Sequence, residues 1–311
     1  MSSSGFVEIE GNPPPEGARV RWLDGAEGRR LRMCVAPALN PSTPRGTVIV
    51  CPGRTEFIEK YFETARELQE MGFAILILDW PGQGLSSRLL PDARKGHIDR
   101  FSTFMNALKK ALDEMQDELP RPLVSLAHSM GGAIALAAIT KKLIEVDAAA
   151  FSAPMWGLKS RFMGMKYLAW SMKTLGQGNK FAMKPGPRGS FEENIVTHDR
   201  GRWDIQEALI EASPDLELGP ITWSWLGASL DVIDAFAKPT ALAHVNCPVL
   251  IATAGEEELV DNDSHHRISR HLTNVERIYL PNARHEILME TDDIRDQFWA
   301  AFKRLLDRAR I

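Results

Sequence analysis

Only three cysteines, Cys34, Cys51 and Cys247, occur in the 311 residues, and they lie far apart. An odd, dispersed set builds neither a disulfide framework nor a zinc-ligand pattern. A reducing compartment is therefore expected, with no metal and no organic cofactor. No apolar run approaches the roughly 20 residues needed to cross a bilayer as a helix. The first fifteen residues are polar and proline-rich, without a basic start or an apolar core, so no signal peptide is expected. Charge of one sign is not in great excess: the net value of -4 does not suggest nucleic-acid binding. There is no internal repeat and no low-complexity tract. What remains is an ordinary globular composition, 44% hydrophobic, long enough for one large domain with an insertion or two small ones. The expected location is cytoplasmic.

Along the chain, residues 1–16 read as a loose tail. Val20–Leu23 and Leu31–Ala36 are candidate early strands, and Thr47–Cys51 is a short β-branched run feeding Pro52-Gly53. Phe73–Leu78 is continuously apolar, the mark of an interior parallel strand. Phe101, Phe104, Met105, Leu108, Leu112 and Met115 recur at helical spacing. Further strands are expected at Leu123–Ala127, Ala148–Ser152, Pro248–Thr253 and Val275–Leu280, and a closing amphipathic helix at Ile294–Leu306. Strands alternating with helices predict an α/β fold with a mostly parallel sheet covered on both faces. The alternation stops after Pro154 and resumes at Pro248. The reading is thus a core of residues 17–154 and 241–311, interrupted by an insertion over 155–240.

The stretch Leu123 to Gly132 (LVSLAHSMGG) carries the strongest chemical signal. An apolar run ends in a serine flanked two residues away by Ala127 and Gly131, and a helix-like run follows at once. That is the layout of a nucleophile elbow, in which small neighbours permit a sharp strand-to-helix turn and expose the hydroxyl. The usual first small residue is glycine, so Ala127 adds a methyl group. The following helix would aim its amides and positive dipole end at Ser129.

A serine hydroxyl needs a base, and on such a scaffold the chain order is serine, acid, histidine. Among eight histidines, His285 lies after the last strand and before the last helix, at the carboxyl edge of the sheet. His128 abuts the serine, but adjacent residues on a tight turn diverge. The acid belongs in the loop after the penultimate strand, Gly255-Glu256-Glu257-Glu258-Leu259-Val260-Asp261. Spacing alone leaves Glu258 and Asp261 both open. Two amides are needed for an oxyanion. Met130, just after the nucleophile, is one candidate, and Arg54 in Pro52-Gly53-Arg54 is the other, with Gly53 allowing close approach of substrate.

With these blocks assembled, the chain resembles the α/β-hydrolase family of bacterial lysophospholipases and monoacylglycerol lipases, from about Val48 to the C-terminus. The matching blocks are Pro52-Gly53-Arg54-Thr55-Glu56 with downstream Tyr61, Asp79 to Ser86 (DWPGQGLS), the 127–132 elbow, Gly255 to Asp261, and His285-Glu286-Ile287-Leu288. The resemblance implies an α/β-hydrolase fold with a helical cap. It also implies Ser129 as nucleophile, His285 as base, Glu258 as acid three residues after Gly255, and Asp261 as a supporting carboxylate. Pro52 stands where relatives often have histidine, and Gln83 where many have it, in a turn read as structural.

The insertion bears on the substrate. No acid occurs between Ala148 and Phe191, whereas seven basic residues do: Lys159, Arg161, Lys166, Lys173, Lys180, Lys184 and Arg188. Trp, Met and Phe are interleaved, a mixture suited to an anionic lipid surface or to an acyl-chain tunnel. Trp156, Met163 and Trp170 are therefore expected to contact substrate together with Gly53. The expected activity is serine carboxylester hydrolysis of a single-chain lipid ester, a lysophospholipid or monoacylglycerol, with peripheral contact to an anionic membrane surface. A small-ester esterase, a peptidase and a non-catalytic lipid-binding protein are the alternatives. An epoxide hydrolase or dehalogenase would carry aspartate at position 129.

Overall fold

The computed structural model describes residues 5–25, 28–159, 165–186 and 188–311. Eight strands form one sheet: β1 Arg19–Asp24, β2 Arg30–Ala36, β3 Gly46–Cys51, β4 Phe73–Leu78, β5 Leu123–His128, β6 Ala148–Ser152, β7 Val249–Ala254 and β8 Val275–Leu280. Their spatial order is β1-β2-β4-β3-β5-β6-β7-β8. The first two pairings, β1 with β2 and β2 with β4, are antiparallel, and the rest are parallel.

The fully apolar strands sit inside because both their faces are covered. Along β3, Val48 and Val50 face one core and Ile49 and Cys51 the other; along β5, Val124 and Leu126 divide in the same way from Leu123 and Ala127. Helices α1 (Phe62–Glu70) and α8 (Asp292–Ala309) cover the first face, and α2 (Ser102–Met115) and α3 (Ser129–Thr140) the second. α3 is buried from Ser129 to Ile139, which explains why its sequence is apolar all round rather than on one stripe. Between β6 and β7 the chain leaves the sheet for α4 (Lys166–Thr174), α5 (Arg200–Ala212) and α6 (Trp223–Phe236). α7 (Asn262–Ser269) follows β7, and Asp261 caps it by accepting the amide of Asp263.

The expectation of a loose tail needs correction for the described residues. Phe6 is buried edge-on against Phe62, with ring centroids 5.2 Å apart. The Val7 amide donates to Glu59 at 3.0 Å, and the Asn12 side chain donates to the Glu59 carbonyl at 2.9 Å. A proline-rich stretch has no periodicity to reveal such pinning.

Glu59 also belongs to a fully buried ion cluster. The Arg32 guanidinium donates to both Glu59 oxygens and, at 3.0 Å, to Asp79. Asp79 in turn accepts the amides of Ile58 at 2.9 Å and Leu85 at 2.8 Å. A Cβ at Gly84 would lie 2.1 Å from the Asp79 carboxyl carbon, so only glycine lets the turn wrap that closely, at φ +52°. The cluster thereby fixes the turn carrying Gln83, which holds the loop beside Ser129. Replacing Arg32 with Ala leaves two buried carboxylates without their cation. We expect a loss of about 3–5 kcal/mol in urea unfolding; a loss below 1 kcal/mol contradicts this account.

Candidate active site

β5 ends at His128 and α3 begins at Ser129, with no residue between them. The turn forces Ser129 to φ +49°, a region that L-residues avoid unless the surroundings impose it. Small neighbours make it possible. A Cβ on Gly131 would stand 2.0 Å from the Cys51 carbonyl oxygen, and one on Gly132 would stand 2.7 Å from Pro154. Ala127 is fully buried in the same packing, so its methyl group is accommodated.

The Ser129 hydroxyl lies 2.8 Å from His285 Nε2, and His285 Nδ1 lies 2.7 Å from Glu257 Oε2. The chain thus brings together residues 28 and 156 positions apart from the imidazole. Carboxylate at Nδ1 places the ring proton there and leaves Nε2 as acceptor for the serine O–H. The other Glu257 oxygen accepts the amides of Leu259 at 2.7 Å and Val260 at 3.2 Å. Burial opposes charge on Glu257, but His285 and these amides outweigh it and hold the carboxyl below its ordinary range.

This corrects the expected acid. Glu258 is exposed, and the carboxylate at His285 Nδ1 is Glu257. Asp261 is not at the ring either: it caps α7 and pairs with Arg267 at 2.7 Å. Successive residues in the Glu256–Glu258 turn point in different directions, and only the middle one faces inward. Nothing in a run of three glutamates distinguishes them without the backbone.

The loop after β3 lies alongside. Thr55 adopts φ +68°, and Gln83 clamps the loop from both sides, donating to the Gly53 carbonyl at 3.1 Å and accepting from the Thr55 amide at 3.4 Å. Trp80 Nε1 donates to the Pro52 carbonyl at 2.8 Å. The Gly53 amide donates to Glu56, whose carboxylate also receives Tyr61 Oη at 2.6 Å and Lys60 Nζ at 2.9 Å. Lys60 reaches on to Glu286 at 2.7 Å. Burial opposes the Glu56 charge, but the Lys60 ammonium, joined by the Tyr61 hydrogen bond, holds it down to about 2. Gln83 and Glu56 thus support the site, and both stand in blocks that carry the family resemblance. Met130 stands at the first turn of α3, where amides have no intrahelical acceptor.

Above Ser129 and His285 lies a cavity of about 300 Å³. Met155, Leu158, Met183, Ile221, Trp225 and Leu226 give it apolar walls, and Arg54, Thr55 and Glu286 add polar ones. A larger cavity of about 530 Å³, beside Phe101, Ala137, Val232 and Phe236, is lined by none of Ser129, His285 and Glu257. Several expected substrate contacts need correction. Trp156 is buried behind the elbow, against Phe151 and His265, with its indole donating to the Gly132 carbonyl at 3.2 Å. Trp170 is 66% exposed on α4, away from the cavity. Gly53 is occupied with Glu56 and does not line the cavity wall. Met163 falls outside the described residues.

The sequence profile of the serine aminopeptidase S33 family matches residues 42–292. The chain belongs to that family. It is 33% identical to lysophospholipase L2 of Escherichia coli K12 over 264 residues, covering 80% of this chain and 76% of the relative. It is 25% identical to a monoacylglycerol lipase of Mycolicibacterium smegmatis over 258 residues, covering 80% and 84%. Among solved structures, a monoglyceride lipase from Saccharomyces cerevisiae superposes with a TM-score of 0.75 at 19% identity over 99% of both chains. This S33 chain is therefore an α/β hydrolase in family and in fold.

Two further histidines flank the site of this S33 hydrolase and are held neutral. His128 Nδ1 donates to the Ser152 carbonyl at 3.0 Å, and burial pushes its pKa down to about 4. His265 Nε2 donates to the Pro154 carbonyl at 2.8 Å, its Nδ1 faces Thr253 at 3.0 Å, and burial likewise pushes it down to about 4. Each ring takes up its proton more readily unfolded, near 6.5, than folded. Their contribution to stability is therefore present at pH 7 and declines as pH falls from about 6.5 toward about 4. His265→Gln should lose about 2 kcal/mol less than the parent between pH 7 and pH 5 in urea titrations. Equal pH dependence in the two proteins contradicts the assignment.

Proposed function

We propose that this protein is a serine carboxylester hydrolase acting on single-chain lipid esters through an acyl-enzyme. The observation that carries the reading is the unbroken line Glu257–His285–Ser129, with contacts of 2.7 and 2.8 Å, beneath a mostly apolar cavity. His285 Nε2 takes the Ser129 proton as Oγ attacks the ester carbonyl. The carbonyl oxygen becomes an oxyanion, held by the amides of Met130 and Arg54. The intermediate collapses, the ester C–O bond breaks, and His285 returns the proton to the departing alcohol. Water then attacks the acyl-serine, His285 takes its proton and restores it to Ser129, and the fatty acid leaves.

Relatives named lysophospholipase and monoacylglycerol lipase support a lipid-ester substrate. The cavity disfavours the family's aminopeptidase namesake. A free α-amino group needs an unpaired carboxylate, and Glu286, the carboxylate lining this cavity among the described residues, already faces Lys60. The segment 155–240 acts as a cap in this reading, since it supplies the apolar walls. Met183 both lines the cavity and is 49% exposed, so an acyl chain has an entrance there.

α4 is the part that meets membrane in this proposal. Tyr167, Leu168 and Trp170 are exposed on it and Leu175 just beyond, in a segment rich in lysine. Some of that charge is matched internally: Lys166 pairs with Asp231 and Asp234, and Arg188 with Glu207. The aromatic residues therefore carry more of the docking than charge alone suggests.

Ser129→Ala should lower hydrolysis of a monoacyl ester by at least about 10⁴-fold without unfolding the protein. Glu257→Gln should lower kcat about 10³- to 10⁴-fold, and Glu258→Gln less than twofold. A reversed order of the two glutamates in steady-state kinetics rejects the triad as drawn. The double change Tyr167→Ser, Trp170→Ser should weaken sedimentation with anionic vesicles about tenfold or more while sparing hydrolysis of a dispersed short-chain ester. Unaltered sedimentation rejects the docking face.

A further inference from the structure

Among the described residues lining the cavity over Ser129, one cation, the Arg54 guanidinium, is not used by the ester-hydrolysis chemistry. The Arg54 side chain lines its wall. Its Nη2 donates to the Gly219 carbonyl, and its guanidinium carbon lies 5.6 Å from the centre of the Trp225 ring. Its Nε is buried without a hydrogen-bond partner. Among the described residues no carboxylate lies within ion-pair distance of it. Other well-covered arginines are treated differently: Arg32 faces Glu59 and Asp79, Arg202 faces Glu63, Asp199 and Asp292, and Arg295 faces Glu63 and Glu67. The nearby Glu286 is no substitute, because Lys60 holds it. Burial, with no anion to offset it, pushes the Arg54 guanidinium down to about 10, which still leaves it charged at neutral pH.

Keeping an unmatched guanidinium beside a largely apolar wall is unfavourable unless something else supplies the negative charge. We propose that Arg54 is a specificity determinant that binds the phosphate group of a single-chain phospholipid ester. The inference rests on the ester-hydrolase reading above and adds the chemical class of its alcohol. Arg54 carries both an amide assigned to the oxyanion and a guanidinium one side chain away. In a monoacyl glycerophospholipid the ester and the phosphate are likewise separated by a glycerol backbone. A guanidinium presents a planar fork of donors suited to phosphate oxygens. Room for it is built in: a Cβ on Gly96 would stand 2.4 Å from Arg54 Nη2.

The test compares two esters with one acyl chain, a lysophosphatidylglycerol and the corresponding monoacylglycerol, both below their aggregation limits. The parent protein should show a kcat/KM about 10- to 100-fold higher for the phosphate ester. Arg54→Met should abolish that ratio, chiefly by raising KM for the phosphate ester, and Arg54→Lys should restore part of it. Thermal melting verifies that each variant is folded. A parent protein with no preference, or with a preference for the neutral ester, overturns the proposal even if no variant folds. So does a ratio unchanged in folded Arg54→Met, which would mean that Arg54 only braces Gly219 and Trp225. An alkyl phosphate should compete with substrate at least tenfold better than the corresponding fatty acid; the reverse assigns Arg54 to product carboxylate and also overturns the phosphate reading. If the parent cleaves neither ester and Ser129 resists a fluorophosphonate, the ester-hydrolase reading fails. Competition between the alkyl phosphate and its neutral alcohol for binding then judges Arg54 separately.

Discussion

The site depends on how closely the start of α3 approaches the end of β3. At Gly131 the helix backbone lies so near the Cys51 carbonyl that any side chain would collide with it. That contact makes the strand-to-helix turn abrupt and holds Ser129 at a positive φ. It also places the first amides of the helix beside the loop that follows β3. The proposed nucleophile and the proposed oxyanion donors are thus set by one piece of backbone packing between neighbouring parallel strands.

Around that point the protein matches buried charges with care. Arg32 holds Glu59 and Asp79, Lys60 holds Glu56 and Glu286, and the two neutral histidines His128 and His265 donate to backbone carbonyls nearby. These groups tie loops from distant parts of the chain to the carboxyl edge of the sheet. Glu56 fixes the Gly53 amide, and Asp79 fixes the turn from which Gln83 grips the same loop. The loop is pinned before any substrate arrives, which is the condition for electrostatic preorganisation. Arg54 is set apart within this arrangement because, among the described residues, it meets a carbonyl and an aromatic ring but no carboxylate.

How much could be read in advance varied with the kind of signal. The β-branched and apolar runs at 47–51, 73–78 and 123–127 identified interior strands because burial on two faces demands such runs. Ser129 and His285 were legible because a tight turn constrains the residues around it and because sheet edges gather loops. The glutamate was not, since Glu256, Glu257 and Glu258 are chemically equal and differ only in direction. Trp156 and Trp170 were expected at the substrate from their type alone. One instead packs behind the elbow and the other faces outward, and no period in that segment tells the two apart.

The sequence by itself determined the strand set and the small residues that permit the elbow, because each follows from sterics local to a few residues. Which carboxylate reaches the imidazole, which aromatic residues wall the cavity, and which arginine is left without an anion were decided only by the tertiary structure. Those outcomes depend on the directions of side chains brought together from loops scores of residues apart, and direction is a property of packed backbone rather than of composition or spacing.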